Sequence, residues 1–195
     1  MSRTWTRDSY LISTDPSLIP ISDLNAVFAT DLVYWATPLP ENVMRETIDN
    51  SLCFVLFDTK APANANYDAN GQRATDSKLI GFARCVTDFT TFSYLTDVYV
   101  LLAYQGEGLG RWLVACVGEV HDSMPHLRRS MLFTGDWKRS VPFYQSVLGM
   151  DTLNAGSEGS GGPAIMQKRG PGFPASLYHN QEEDSEANGD LESEK

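Results

Sequence analysis

The apolar positions of the chain change period along its length, and the changes mark its elements. Tyr10-Leu11-Ile12-Ser13 predicts a short first strand, closed by Asp15-Pro16. Leu24, Val27, Phe28 and Leu32 then recur at helical spacing behind Ser22 or Asp23, either of which suits an N-cap. Tyr34-Trp35 leads to breaks at Pro38 and Pro40. A second helix is expected from near Pro40, with Val43, Met44 and Ile48 turned inward. Leu52 to Phe57 is a nearly continuous apolar run that reads as a buried strand. Residues 59–77, rich in Ala, Asn and Asp, read as a long mobile loop within one domain.

Lys78–Val86 and Phe92–Val100 are rich in β-formers and flank Thr87-Asp88-Phe89-Thr90-Thr91, the pattern of a hairpin. A glycine-rich turn follows, then a helical pattern from Arg111 to Val120. Ser130–Thr134 reads as a strand and Ser140–Leu148 as a helix stopped by Gly149. Asp151–Asn154 and Ala164–Lys168 are expected to close the fold as a hairpin around residues 156–162. The order β-α-α-β-β-β-α-β-α-β-β describes one α+β domain with a mixed sheet and no internal repeat. Its bounds are set at 1–170. Residues 171–195 form an acidic tail with little to bury, expected to be disordered.

Composition narrows the classes. The 195 residues include 42% hydrophobic and 11% aromatic residues, enough for a packed core. No apolar run approaches the ~20 residues of a membrane span, and residues 1–5 lack a secretory signal. The cytosol is the default compartment, with the nucleus left open. The formal charge of −10 argues against nucleic acid, which needs a basic surface, and suits a cationic amine. Cys53, Cys85 and Cys116 stand apart in apolar segments and read as buried thiols. His121, His126 and His179 form no ligand spacing, so no metal is expected.

The segment with chemistry runs from Asp97 through Val98-Tyr99-Val100 to Gln105-Gly106-Glu107-Gly108-Leu109-Gly110-Arg111. A strand enters a turn with glycine at alternate positions, and a helix starts at once. Missing Cβ atoms let successive N–H groups converge, and the helix N-terminus adds positive potential. This is a pyrophosphate cradle, to which Arg111 adds a cation. A Walker A turn would need Gly-Lys-Ser/Thr where the chain has Gly110-Arg111-Trp112. The Rossmann spacing is missed by one residue.

Gln105 to Gly110 resembles the Gln/Arg-x-x-Gly-x-Gly/Ala pattern of the GNAT acetyltransferase superfamily, and the element order over about residues 9–168 is similar to it. The resemblance implies a single GNAT-like domain with acetyl-CoA as donor. It implies that backbone groups around Val98, Tyr99 and Val100 hold the acetyl and pantetheine amides. The turn Gln105, Gly106, Glu107, Gly108, Leu109, Gly110 with Arg111 would hold the pyrophosphate.

Transfer to an amine asks for loss of the amine's proton and protonation of the departing thiolate. Tyr144 lies in a segment similar to the family's helix-borne Tyr-x-x-x-Gly-Phe. It departs by one extra residue before Gly149 and by Met150 in place of an aromatic. Its phenol, with an ordinary pKa of about 10, suits a general acid. Asp97, Asp136 and Asp88 are the candidates for the amine's proton, Asp97 foremost. Arg84 lies on the facing strand, diagonal to Asp97. Two readings stand: the pair binds the acceptor, or it is an internal ion pair of the hairpin. Tyr34-Trp35 belongs to the connection expected to wall the acceptor, while Phe82, Phe92 and Tyr94 are core or pocket.

The expected activity is N-acetylation of a small-molecule primary amine. A non-catalytic acyl-CoA sensor and a histone-type protein lysine acetyltransferase are the alternatives. Homodimerisation is left open.

Overall fold

The computed structural model describes residues 2–62, 77–153 and 164–171. Within these residues four helices pack on the two faces of a mixed sheet: α1 (Ile21–Phe28), α2 (Glu41–Asp49), α3 (Leu109–Asp122) and α4 (Ser140–Leu148). The strands are β1 (Thr4–Arg7), β2 (Tyr10–Ser13), β3 (Leu52–Pro62), β4 (Ser77–Thr87), β5 (Phe92–Val100), β6 (Arg129–Thr134), β7 (Asp151–Thr152) and β8 (Ala164–Arg169). Their order is β1-β2-β3-β4-β5-β6-β8-β7. Every neighbouring pair is antiparallel except β5 with β6.

The sheet separates two apolar clusters because alternate strand residues face opposite sides. Ala83, Cys85 and Leu95 join the cluster under α3 and α4. Phe82 and Tyr99 join the cluster under α1 and α2, with Leu24, Phe28, Met44 and Ile48.

Several boundaries differ from the pattern. The strand at Tyr10 has a partner, β1, at Thr4–Arg7. Its alternation is too polar to announce itself. It is held by Trp5, which stacks on Phe54 (6.0 Å) and donates to Glu119 Oε2 (2.8 Å). Asp8, at φ +53°, supplies the left-handed residue that the short β1–β2 turn needs. Helix α1 is capped by Pro20, so Ser22 and Asp23 lie inside its first turn and neither is the N-cap. Leu32 belongs to a separate 3-10 turn, Asp31–Val33.

On α2, Met44 and Ile48 are buried as expected, but Val43 is exposed. Residues 59–62 belong to β3 and Ser77 to β4. The remainder of the expected loop, 63–76, lies outside the described residues, as do 154–163 of the closing hairpin and 172–195 of the expected tail. Gly149 ends α4 at φ +63°, as predicted.

Candidate active site

Strands β5 and β6 pair only at Phe92–Tyr94 with Arg129–Met131. Beyond that point β6 stays with β8 as far as Thr134, and among the described residues the outer edge of β5 from Leu95 to Val100 has no strand partner. The parting opens a cleft of about 530 Å³ between the end of β5, the turn before α3, and α4. Parallel strands this short are joined only through α3, so no hairpin forces them together.

The turn supplies the cleft floor. Gly106 and Gly108 sit at φ +90° and +75°, where side chains are disfavoured. A Cβ added at either glycine would meet nothing within 4 Å. The backbone therefore faces open space. Gly108 caps α3, and the first amides of that helix have no intrahelical acceptor. Leu109 is buried and anchors the turn, while a Cβ added at Gly110 would lie 3.8 Å from a Val100 methyl.

Three expected contributors act differently from a simple cradle. The Gln105 side chain donates to the Val100 carbonyl (2.9 Å), so it braces the turn against β5. Glu107 does not line the cleft. Its carboxylate accepts from the Tyr10 hydroxyl (2.7 Å) and its carbonyl from Arg7 (3.2 Å), because β1 and β2 pass behind the turn. Arg111 does line the cleft, held by its bond to Ser146 on α4 (2.9 Å). The Tyr99 ring packs on Phe82 on the α1–α2 side, leaving its backbone to the cleft.

From α4, Tyr144 faces the same cleft beside Phe143. Burial pushes its phenol up to about 12, so the hydroxyl keeps its proton at neutral pH. Asp136 also lines the cleft and accepts from the Arg139 amide (2.9 Å). Asp88, the third carboxylate considered, is elsewhere. It organises the β4–β5 turn by accepting from the amides of Thr90, Thr91 and Phe92, bonds that hold its carboxyl well below the usual range. It is not part of the site.

The register of β4 on β5 shifts between Phe82↔Tyr99 and Arg84↔Thr96. Two residues of β5 thus oppose one of β4, a bulge, with Asp97 at φ +53°. The bulge turns Asp97 to the α1–α2 face beside Arg84. Arg84 Nε donates to Asp97 Oδ2 at 2.7 Å, and Trp35 Nε1 to Oδ1 at 3.2 Å. Arg84 Nη1 also reaches Ser51 Oγ (3.2 Å). The sequence pairs Arg84 with Asp97 across the hairpin and places Trp35 apart, in the connection before α2; the fold brings all three together. It does not bring Tyr34, which is 76% exposed, into that cluster, although the ring leans edge-on against Trp35. Phe82 lines the adjoining cavity; Phe92 lies at the far end of β5.

Cys53, Cys85 and Cys116 are free and buried, and burial pushes their thiols up to about 12, which leaves no ready nucleophile among them. Among the described residues no group of three or more His, Cys, Asp or Glu could hold a metal, and no helix is long and apolar enough to cross a membrane.

Residues 32–150 match the family model described as Acetyltransferase (GNAT) family. A provisionally named acetyltransferase of Gibberella zeae is 36% identical over 171 residues, covering 87% of this chain and 94% of that protein. The crystal structure of a provisionally assigned GNAT-family acetyltransferase from Xanthomonas campestris pv. campestris is 30% identical, with a TM-score of 0.53 over 71% of this chain and 84% of that one. A GNAT-family acetyltransferase structure from Streptococcus pneumoniae shares the fold at 18% identity, with a TM-score of 0.57 over 82% of this chain and 98% of that one. The chain belongs to the GNAT acetyltransferase family, whose members use acetyl-CoA. A second model, Glyoxalase/Bleomycin resistance protein/Dioxygenase superfamily, matches residues 123–191, less than half of the chain. Its strands there belong to the same sheet as the rest.

Proposed function

We propose that this protein transfers acetyl from acetyl-CoA to the primary amine of a small molecule, by direct attack while both are bound. The observation that carries the reading is the meeting of three features in one cleft: a free strand edge, a glycine turn open to approach, and a protonated tyrosine. Acetyl-CoA, when bound, supplies an activated acyl carbon and a thiol leaving group.

The residues present fit that donor. Convergent amides at Gly106 to Arg111 suit a pyrophosphate, and Arg111 and Arg139 on the cleft wall add positive charge. Backbone groups of β5 around Val98 have no strand partner on the β6 side among the described residues and suit the amides of an extended arm. Asp97, one residue before Val98, is assigned to receive the acceptor's ammonium. Tyr144 holds a proton beside the cleft for the leaving sulfur. The ammonium first gives one proton to Asp97 or to water. The freed amine forms the new bond to the acyl carbon, the carbon–sulfur bond breaks as Tyr144 protonates the sulfur, and the second proton lost by nitrogen restores the phenol. Holding both substrates together supplies much of the rate. The acidic character of the chain favours a cationic acceptor over nucleic acid.

The test is a panel of primary amines assayed for release of free CoA, with wild type and Tyr144→Phe in parallel. Turnover that depends on Tyr144 supports the reading. Acetyl-CoA binding without turnover of any amine would instead identify an acyl-CoA sensor.

A further inference from the structure

Beneath α1 and α2, on the face of the sheet that carries Asp97, lies a second cavity of about 210 Å³. Its walls are apolar: Leu24 and Phe28 from α1, Leu39 from the connection, Met44 and Ile48 from α2, and Phe82 from β4. Its charged groups are Arg84 and Asp97, already bonded to each other. We propose that this cavity takes the body of the acceptor, and that the acceptor is an alkyl- or arylalkylamine whose ammonium sits at Asp97. The inference rests on the acetyl-transfer reading above and names its substrate class.

Three observations select that class. First, the charge of Arg84 is already balanced by Asp97, 2.7 Å from its Nε, and Nη1 is tied to Ser51. An amino acid would bring a second carboxylate to share that one guanidinium, beside the like charge of Asp97. Second, the walls carry few hydrogen-bonding groups besides Thr37 and Thr47, so an amino sugar would leave most hydroxyls unpaired. Burying each unpaired hydroxyl is costly. Third, the second ammonium of a polyamine would lie among Leu, Phe and Met side chains with no carboxylate but Asp97. An amine with one charged end and one apolar end meets none of these penalties.

The bulge sets cavity and cleft at consecutive residues of β5. It turns Asp97 into the cavity, while the next residue, Val98, lines the cleft and packs on the α3–α4 side. An ammonium held at Asp97 is therefore one residue from the strand edge assigned to the donor. Trp35, half exposed and bonded to Asp97, adds an aromatic ring beside that carboxylate. An engineered apolar cavity of about 150 Å³ binds benzene, so one of about 210 Å³ has room for a ring with a short linker.

The experiment uses the full-length protein saturated with CoA. Calorimetry measures binding of ethylamine, butylamine, phenethylamine, glucosamine and spermidine, and CoA release from acetyl-CoA gives kcat/KM for each. Affinity and kcat/KM are expected to rise about fourfold per added methylene from ethylamine to butylamine, with phenethylamine best. Thr47→Trp fills the cavity from its half-buried rim and is expected to weaken phenethylamine binding by about tenfold or more, with acetyl-CoA affinity retained. Met44→Ala enlarges the cavity and should move the optimum to a bulkier aryl group.

Tighter binding and faster turnover of glucosamine or spermidine would overturn the substrate class while leaving acetyl transfer standing. So would a folded Thr47→Trp protein that binds phenethylamine as well as wild type does. Absence of both binding and turnover for every amine would overturn the inference together with the reading beneath it.

Discussion

Arg84 Nε lies 2.7 Å from Asp97 Oδ2, and the two carriers of that ion pair are neighbours only because a bulge displaces β5 by one residue. Asp97 is 7% exposed and adopts φ +53°, a conformation that asparagine and aspartate tolerate better than most residues. Removing either charge strands the other in a largely dry environment. Arg84→Gln or Asp97→Asn alone should therefore lower stability by about 3–5 kcal/mol, and the double change should recover much of that loss. Urea melts of the four proteins check this. Single variants with wild-type stability and selective loss of acceptor turnover would show that the pair serves only the acceptor.

Tyr144→Phe should keep acetyl-CoA affinity and lower kcat by about a hundredfold or more, the scale of a lost general acid. The wild-type pH profile carries a second sign. Burial raises the phenol to about 12, so the acid form persists past the ordinary value of about 10. The descending limb of kcat should fall well above pH 10. A limb centred at the ordinary phenol value would assign it to another group.

Acetyl-CoA should raise the melting temperature by mass action, whereas NAD and ATP should leave it nearly unchanged. Gly108→Asn tests the cradle. Asparagine accepts the left-handed backbone at φ +75°, so the fold should survive, but its side chain projects into the open space before the turn. The shift with acetyl-CoA should shrink or vanish. Gly108→Val adds backbone strain to the same obstruction and should lose both binding and some stability.

His121 makes a prediction about acid stability. It is 2% exposed and its Nε2 lies 3.8 Å from Cys85 Sγ. Burial, aided by the Lys168 charge, lowers its pKa to about 4 from an ordinary 6.5. The folded state thus binds the proton more weakly than the unfolded chain does. Its contribution is full above pH 6.5 and drains away as pH falls towards 4, by about 3 kcal/mol in all. His121→Gln, destabilised at pH 7 or not, should show a shallower loss across that window in denaturant titrations.

Much of the frame was legible because it is local. The hairpin of β4 and β5, the helix after the glycine turn, and the helix ending at Gly149 each declare themselves within about twenty residues, through period, turn chemistry and backbone restriction. Strand β1 was not legible. Thr4-Trp5-Thr6-Arg7 has too little apolar alternation, and its stability comes from Phe54 and Glu119, distant in sequence. Val43 failed for a related reason: helical spacing narrows the inward face to an arc, and packing on β3 selected Met44 and Ile48 within it.

The candidate site divides along the same line. Glycines at alternate positions before a helix restrict the backbone whatever surrounds them, so the cradle could be read from the chain alone. Tyr144 could be placed on its helix by the same kind of local pattern. What the sequence could not fix is where neighbouring side chains turn. Glu107 lies between two cradle glycines yet faces Tyr10, because β2 passes behind the turn. Asp97 faces Arg84 and the apolar cavity because a bulge breaks the two-residue alternation of β5. Backbone restriction is a property of consecutive residues and is carried by the sequence. Register, bulges and the partners of a side chain depend on segments far apart in the chain, and only their packing together decides them.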